Sequence, residues 1–187
     1  MAAARKKILA IVGSLRSNSV NEILLRYLAD KYKQSLDIRL YNGIAELPHF
    51  NPDLENENLP VSVKNFRAQV EAADGIIICT PEYVFSLPGV LKNAIEWTVP
   101  TTIFSDKPVA LIVASGLGEK AYEALVLIMN TLGANIGEHA RLLISGARSK
   151  FDNQGNISDE HTAQELDQLI QALLQTITDK QPLLNQV

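Results

Sequence analysis

The segment Ile8-Leu9-Ala10-Ile11-Val12-Gly13-Ser14-Leu15-Arg16-Ser17-Asn18-Ser19-Val20-Asn21 decides how this chain folds. Five apolar residues in a row read as a strand buried on both faces. Ser19 and Glu22 have the spacing of a capping box, so a helix is expected from near Val20 to about Tyr32. A buried strand, a hydroxyl-rich loop and a helix N-terminus in succession make an anion site. The first N–H groups of a helix have no partner inside it, and the macrodipole places about half a positive charge there. Ser14, Arg16, Ser17 and Ser19 add side-chain donors, so a phosphorylated ligand is expected at this turn. A capped helix with an exposed arginine is the bland alternative; it explains Ser19 alone better than four donors together.

Outward from this segment, apolar runs alternate with segments of helical period. Asp37 to Tyr41 reads as a second strand, and a polar loop with Pro48, Pro52 and Pro60 follows. Val63, Phe66 and Val70 lie on one face of a short helix. Gly75 to Thr80 is the most hydrophobic strand. Pro88 to about Thr98 reads as a helix with Pro88 in its first turn. Val109 to Ala114 is a fourth strand. The next helix carries Ala121, Ala124, Leu125, Ile128, Met129 and Leu132, with Gly133 as its stop. A fifth strand falls between Ala134 and Ile144, its ends undefined. The last helix runs from about Asp159 to Ile177, with Ser158 as its expected cap. Apolar strands separated by amphipathic helices specify a parallel sheet covered on both faces, here in a single domain over residues 1–187. Residues 1 to 5 and 180 to 187 read as loose ends.

Composition narrows the class. The chain has 187 residues, 47% hydrophobic and 20% charged, as soluble globular proteins do. A net charge of −4 argues against a general nucleic-acid binder, which needs a basic face. The single Cys79, inside an apolar run, excludes an intrachain disulfide framework and reads as buried. The apolar run after Arg5, Lys6 and Lys7 reaches Gly13 too soon for a signal sequence or membrane span, so a soluble cytoplasmic protein is expected.

In an open α/β sheet, ligands bind beyond the carboxyl ends of the strands. Three loops therefore matter: residues 13–21, 81–87 and 115–120. The first lacks the second glycine and Lys-Ser/Thr pair of a Walker loop, and the glycines of a dinucleotide loop. In the second, two prolines stiffen the chain, and Tyr83 and Phe85 offer flat surfaces for a planar ring; composition alone slightly favours an ordinary strand-to-helix connection with the aromatics packed on neighbours. The third, Ser115-Gly116-Leu117-Gly118-Glu119-Lys120-Ala121, fits Gly-x-Gly-x-x-Ala but sits in the fourth unit, where a dinucleotide fingerprint does not belong. His49, His139 and His161 show no metal-ligand spacing, and no metal is expected. No acid, base or nucleophile stands out. If the chain is an enzyme, a cofactor carries the reaction.

At these loops the sequence resembles the NADPH-dependent FMN reductase family, which includes bacterial quinone and chromate reductases. The matching motifs are Gly-Ser-Leu-Arg-x-x-Ser-x-Asn at 13–21, Thr-Pro-Glu-Tyr at 80–83, and Pro-Gly-x-Leu-Lys-Asn-Ala-x-Glu-Trp at 88–97. The resemblance covers roughly residues 7 to 145. It implies a flavodoxin-like doubly wound five-stranded sheet of order 2-1-3-4-5. It implies FMN phosphate held by Ser14, Leu15, Arg16, Ser17, Asn18, Ser19, Val20 and Asn21, with Arg16 and Ser19 as the main side-chain contacts. It places the isoalloxazine edge against Pro81, Glu82, Tyr83 and Val84, with a further contact at Ser115 and Gly116. It implies a homodimer or homotetramer with the flavin near the subunit interface; the helix bearing Trp97 is the candidate interface. The chain departs from the family at Val84, where Asn is usual, and in a shorter, less glycine-rich fourth loop.

The activity so implied is FMN-dependent NAD(P)H oxidation. Hydride passes from NADPH or NADH through flavin N5 to a quinone, flavin, azo or metal-oxyanion acceptor. The alternative is a flavodoxin-type one-electron carrier that binds FMN without oxidising NAD(P)H itself.

Overall fold

The computed structural model describes residues 5–152 and 155–179; the termini read as loose ends lie, Arg5 apart, outside them. Five parallel strands, β1 (Lys6–Val12), β2 (Leu36–Tyr41), β3 (Gly75–Thr80), β4 (Val109–Ala114) and β5 (Arg141–Ile144), form one sheet in the order β2-β1-β3-β4-β5. The helices are α1 (Val20–Lys31), α2 (Val61–Ala72), α3 (Gly89–Glu96), α4 (Glu119–Thr131) and α5 (Glu160–Asp179). This is the flavodoxin-like, doubly wound arrangement.

Successive strand side chains point to opposite faces. Ile76 and Ile78 of β3 therefore join one core with Phe66 of α2, Leu91 of α3 and Leu125 of α4. Ile77 and Cys79 join the other, with Leu24, Leu25 and Leu28 of α1 and Leu166, Leu169 and Leu173 of α5. All six residues of β3 and of β4 are buried, because helices cover both sides. The edge strand β2 instead carries Asp37 and Arg39, paired at 2.8 Å, which blunts its open side.

Helix boundaries follow local chemistry. Ser19 caps α1 by accepting the Glu22 amide at 3.2 Å. The reciprocal arm of the box differs from the usual pattern: Glu22 reaches the Asn18 amide, at 3.1 Å, instead of that of Ser19. Pro88 stands just before α3, as its N-cap. Gly133, at φ +73°, follows the α4 C-cap Leu132, as a helix stop should. The expected cap of α5 is corrected by one residue: Asp159, not Ser158, accepts the Thr162 amide at 2.9 Å and its hydroxyl at 2.6 Å. Both residue types cap well, and a start at Glu160 puts Asp159 in the cap position.

The motif at residues 88–97 serves packing. The Asn93 side chain accepts the Phe50 amide at 2.8 Å and donates to the Pro48 carbonyl at 3.0 Å. Trp97 Nε1 donates to the same carbonyl at 2.7 Å, and its indole is fully buried, edge-on to Phe50. Trp97 is thus core within one chain, and its ring is not available to a subunit interface.

Candidate cofactor site

β1 has β2 on one side and β3 on the other, so the chain reverses its winding direction between them. That switch point opens a crevice at the carboxyl ends of the strands. A cleft of about 630 Å³ lies there, in the size range of small-molecule and cofactor sites. It is walled by residues that follow β1, β3, β4 and β5.

The loop after β1 supplies one end. Gly13 is required by close packing: a Cβ there would sit 2.4 Å from Thr80 Oγ1 and 2.9 Å from Leu91 Cδ2. This brings the β1 exit against β3. Ser14 is buried; its Oγ accepts the Arg16 amide at 3.2 Å and lies 3.5 Å from the Tyr83 hydroxyl. The Ser19 oxygen is used in capping, so its proton remains for a ligand. The first intrahelical donor is the Ile23 amide, bonded to Ser19 O, and the Glu22 amide is taken by Ser19. The Val20 and Asn21 amides are left without intrahelical acceptors at the positive end of α1. Arg16 is exposed and, among the described residues, has no ion-pair partner.

The loops after β3 and β4 supply the other end. Tyr83 and Ser86 bridge each other through two backbone bonds of 2.9 and 3.1 Å, enclosing Val84 and Phe85. Both enclosed residues are left-handed, at φ +51° and +55°, as in a type I′ turn. Valine is a poor choice there, since its branched Cβ crowds the backbone. Val84 is 95% and Phe85 73% exposed, so both project from the molecule. Glu82 turns away from the cleft. Its amide donates to Ser115 Oγ at 3.2 Å, and its Oε2 accepts the Lys120 and Ala121 amides at 2.9 and 3.0 Å. The α4 N-terminus is therefore occupied by a carboxylate of the chain itself, so the Gly116-x-Gly118-x-x-Ala121 spacing marks no phosphate loop.

Of the fourteen residues expected at a flavin, ten line this cleft: Ser14, Arg16, Asn18, Ser19, Val20, Asn21, Pro81, Tyr83, Ser115 and Gly116. Leu15, Ser17, Glu82 and Val84 do not. Leu15 is 60% exposed, Ser17 faces a separate groove beside β2, Glu82 is spent on α4, and Val84 is at the hairpin tip. Asn21 lines the floor but also works structurally. Its Nδ2 donates to Ala114 O and its Oδ1 accepts the Cys79 thiol, both at 3.2 Å. Burial pushes the Cys79 thiol pKa up, so it is an inert core group.

The loop after β5 was not anticipated. Gly146, Ala147, Arg148, Ser149, Phe151 and Asp152 complete the wall, and Arg148 is a second arginine without an ion-pair partner among the described residues. The signal was the position of this loop at a strand end, hidden because β5 has only four residues. His49, His139 and His161 are exposed, and among the described residues no group of three or more metal-ligating side chains converges.

Amides, hydroxyls and an arginine at one end and a flat, partly apolar wall at the other fit a phosphorylated planar cofactor, and the fold and cleft together define a flavodoxin-like flavoprotein. Residues 6–148 match the NADPH-dependent FMN reductase family, and the chain belongs to it. It is an NAD(P)H-linked oxidoreductase with FMN as cofactor. The chain is 35% identical over 173 residues to an NAD(P)H-dependent FMN reductase of Pseudomonas aeruginosa, covering 89% of this chain and 92% of that protein. It is 35% identical to an NADPH:quinone oxidoreductase of Arabidopsis thaliana, covering 89% of each. Among solved structures it is similar to FerB, a flavoenzyme NAD(P)H:(acceptor) oxidoreductase of Paracoccus denitrificans. The TM-score is 0.76 at 28% identity, over 93% of this chain and 98% of that one. No helix among the described residues is long and apolar enough to cross a membrane.

Proposed function

We propose that the chain is a single-domain cytoplasmic reductase that takes reducing equivalents from NADPH or NADH and delivers them to a small acceptor, with quinones as the first class to test. The carrying observation is the convergence of the α1 N-terminus, Ser14, Arg16 and Ser19 with Tyr83, Ser115 and Gly116 on one cleft. Arg16, Ser19 and the α1 amides hold the dianionic phosphate by charge-assisted bonds. Pro81, Tyr83, Ser115 and Gly116 face the ring; a Cβ on Gly116 would meet nothing within 4 Å, so its backbone is open to a ligand.

Bound FMN supplies two-electron redox chemistry, and the overall reaction NAD(P)H + H⁺ + quinone → NAD(P)⁺ + quinol balances. The chain contributes position and partial exclusion of water. With the α4 N-terminus taken by Glu82, NAD(P)H and acceptor use the same open side of the cleft in turn. The exposed Val84 and Phe85 beside it support a homodimer or homotetramer in which a second copy covers the hairpin.

The test is protein reconstituted with FMN and assayed for NADPH loss with and without a quinone. Sustained oxidation with a ping-pong rate pattern is expected. FMN binding without NADPH oxidation assigns a one-electron carrier and overturns the reductase reading.

A further inference from the structure

Gly118 stands at the N-cap of α4 with φ +105° and no capping side chain. Its glycine identity is forced: besides the backbone angle, a Cβ would lie 2.7 Å from Leu143 Cδ1 and 3.1 Å from Val113 Cγ1. A helix N-terminus with a glycine cap leaves its first amides to be satisfied from elsewhere. Here they are satisfied from a different loop, over thirty residues away in sequence, by Glu82. The same residue's amide holds Ser115. Glu82 thus ties the loop after β3 to the loop after β4 at both ends, with its main chain and its side chain.

We propose that Glu82 is a positioning residue for the flavin reaction: its carboxylate, acting as the missing cap of α4, fixes the spacing between the Pro81–Tyr83 wall and the Ser115–Gly116 wall. This rests on the FMN reductase reading above and names a residue that acts without facing the cleft. Two features make the tie directional. Both amide bonds end on one oxygen, Oε2, so the geometry needs a single acceptor atom at that reach. The Glu82 amide uses a lone pair of Ser115 Oγ, which leaves the Ser115 proton as the group to offer into the cleft. The brace therefore sets a donor at the ring as well as a distance.

The side chain is replaced in three ways. Glu82→Gln keeps an oxygen at the same reach and loses the charge. Glu82→Asp keeps the charge and loses the reach. Glu82→Ala loses both. Full-length protein is loaded with saturating FMN and read by the visible absorption band and reduction potential of the bound flavin, by kcat with NADPH and a quinone, and by amide exchange at Lys120 and Ala121. Glu82→Gln is expected within about threefold of wild type in kcat, with an unchanged band and potential. Glu82→Asp and Glu82→Ala are expected to share a shifted band and potential, a kcat lowered at least tenfold, and fast exchange at the two amides. If Glu82→Ala fails to fold, Glu82→Asp decides. Wild-type potential and kcat in Glu82→Asp overturn the brace, as does Glu82→Gln falling as far as Glu82→Asp. Failure of the unsubstituted protein to bind FMN or oxidise NADPH overturns the functional reading itself, a separate result.

Discussion

Asn21, at the second helical position of α1, donates through Nδ2 to the carbonyl of Ala114, the last residue of β4, at 3.2 Å. Its Oδ1 accepts the thiol of Cys79, next to last in β3. One buried amide thereby ties the start of α1 to the ends of two strands at the floor of the cleft. Asn21→Ala leaves a buried carbonyl without its partner, a loss of about 1–3 kcal/mol. Urea unfolding should show a lower midpoint with an unchanged slope. An unchanged midpoint removes the structural role.

Arg16 and Ser19 separate affinity from stability. Arg16→Ala with Ser19→Ala should weaken FMN binding by at least a few kcal/mol, since each charge-assisted bond contributes about 1.5–3 kcal/mol. Ser19→Ala also removes the α1 cap, whereas glycine at a cap costs only a few tenths of a kcal/mol. Ser19→Gly should therefore lower FMN affinity, read by fluorescence titration, while the melting temperature barely moves. Wild-type affinity in the double variant removes the phosphate assignment.

Val84 holds a left-handed backbone that asparagine tolerates better. Val84→Asn should raise stability by about 1 kcal/mol, against the roughly 1–2 kcal/mol cost of that conformation for an ordinary L-residue. In a chain of this size that is a rise of about 2–4 °C in Tm by calorimetry. A fall in Tm means that the valine side chain makes a compensating contact.

Asp159 gives the α5 cap a pH dependence. The Lys150 ammonium at 2.8 Å, then the Thr162 hydroxyl and amide, hold its carboxyl below the ordinary value of 3.8. A lowered folded-state pKa means stability that is full above the unfolded value and lost as pH falls through the folded one. Wild type should lose stability below pH 3.8 more steeply than Asp159→Asn. Parallel curves for the two proteins contradict the assignment.

Cys79 is buried and bonded to Asn21, and its raised pKa keeps it a thiol at neutral pH. Native protein should resist alkylation by iodoacetamide, and urea-unfolded protein should label fully. Rapid labelling of native protein means that the β3 end opens.

The sheet was legible because burial on both faces leaves a direct mark: Gly75–Thr80 and Val109–Ala114 have the bounds that their unbroken apolar runs predict. The α1 cap was legible because Ser19 and Glu22 are three residues apart and interact locally. β5 was legible only as a strand somewhere between Ala134 and Ile144; its bounds were not, because four residues with an exposed Arg141 carry too little pattern, and with them went the loop holding Arg148. The motif around Asn93 and Trp97 pointed to the family, but only packing assigned it to holding residues 48–50.

The sequence alone determined the alternation of strands and helices and the hydroxyl-and-arginine loop at a helix start, since both depend on neighbours within a few residues. The tertiary structure decided which donors face the cleft, sent Glu82 to cap α4, placed Val84 at an exposed tip and brought Arg148 to the wall. The Val84 tip is set by the local Tyr83–Ser86 hairpin; the other outcomes depend on contacts between segments more than thirty residues apart, which short-range periodicity does not encode.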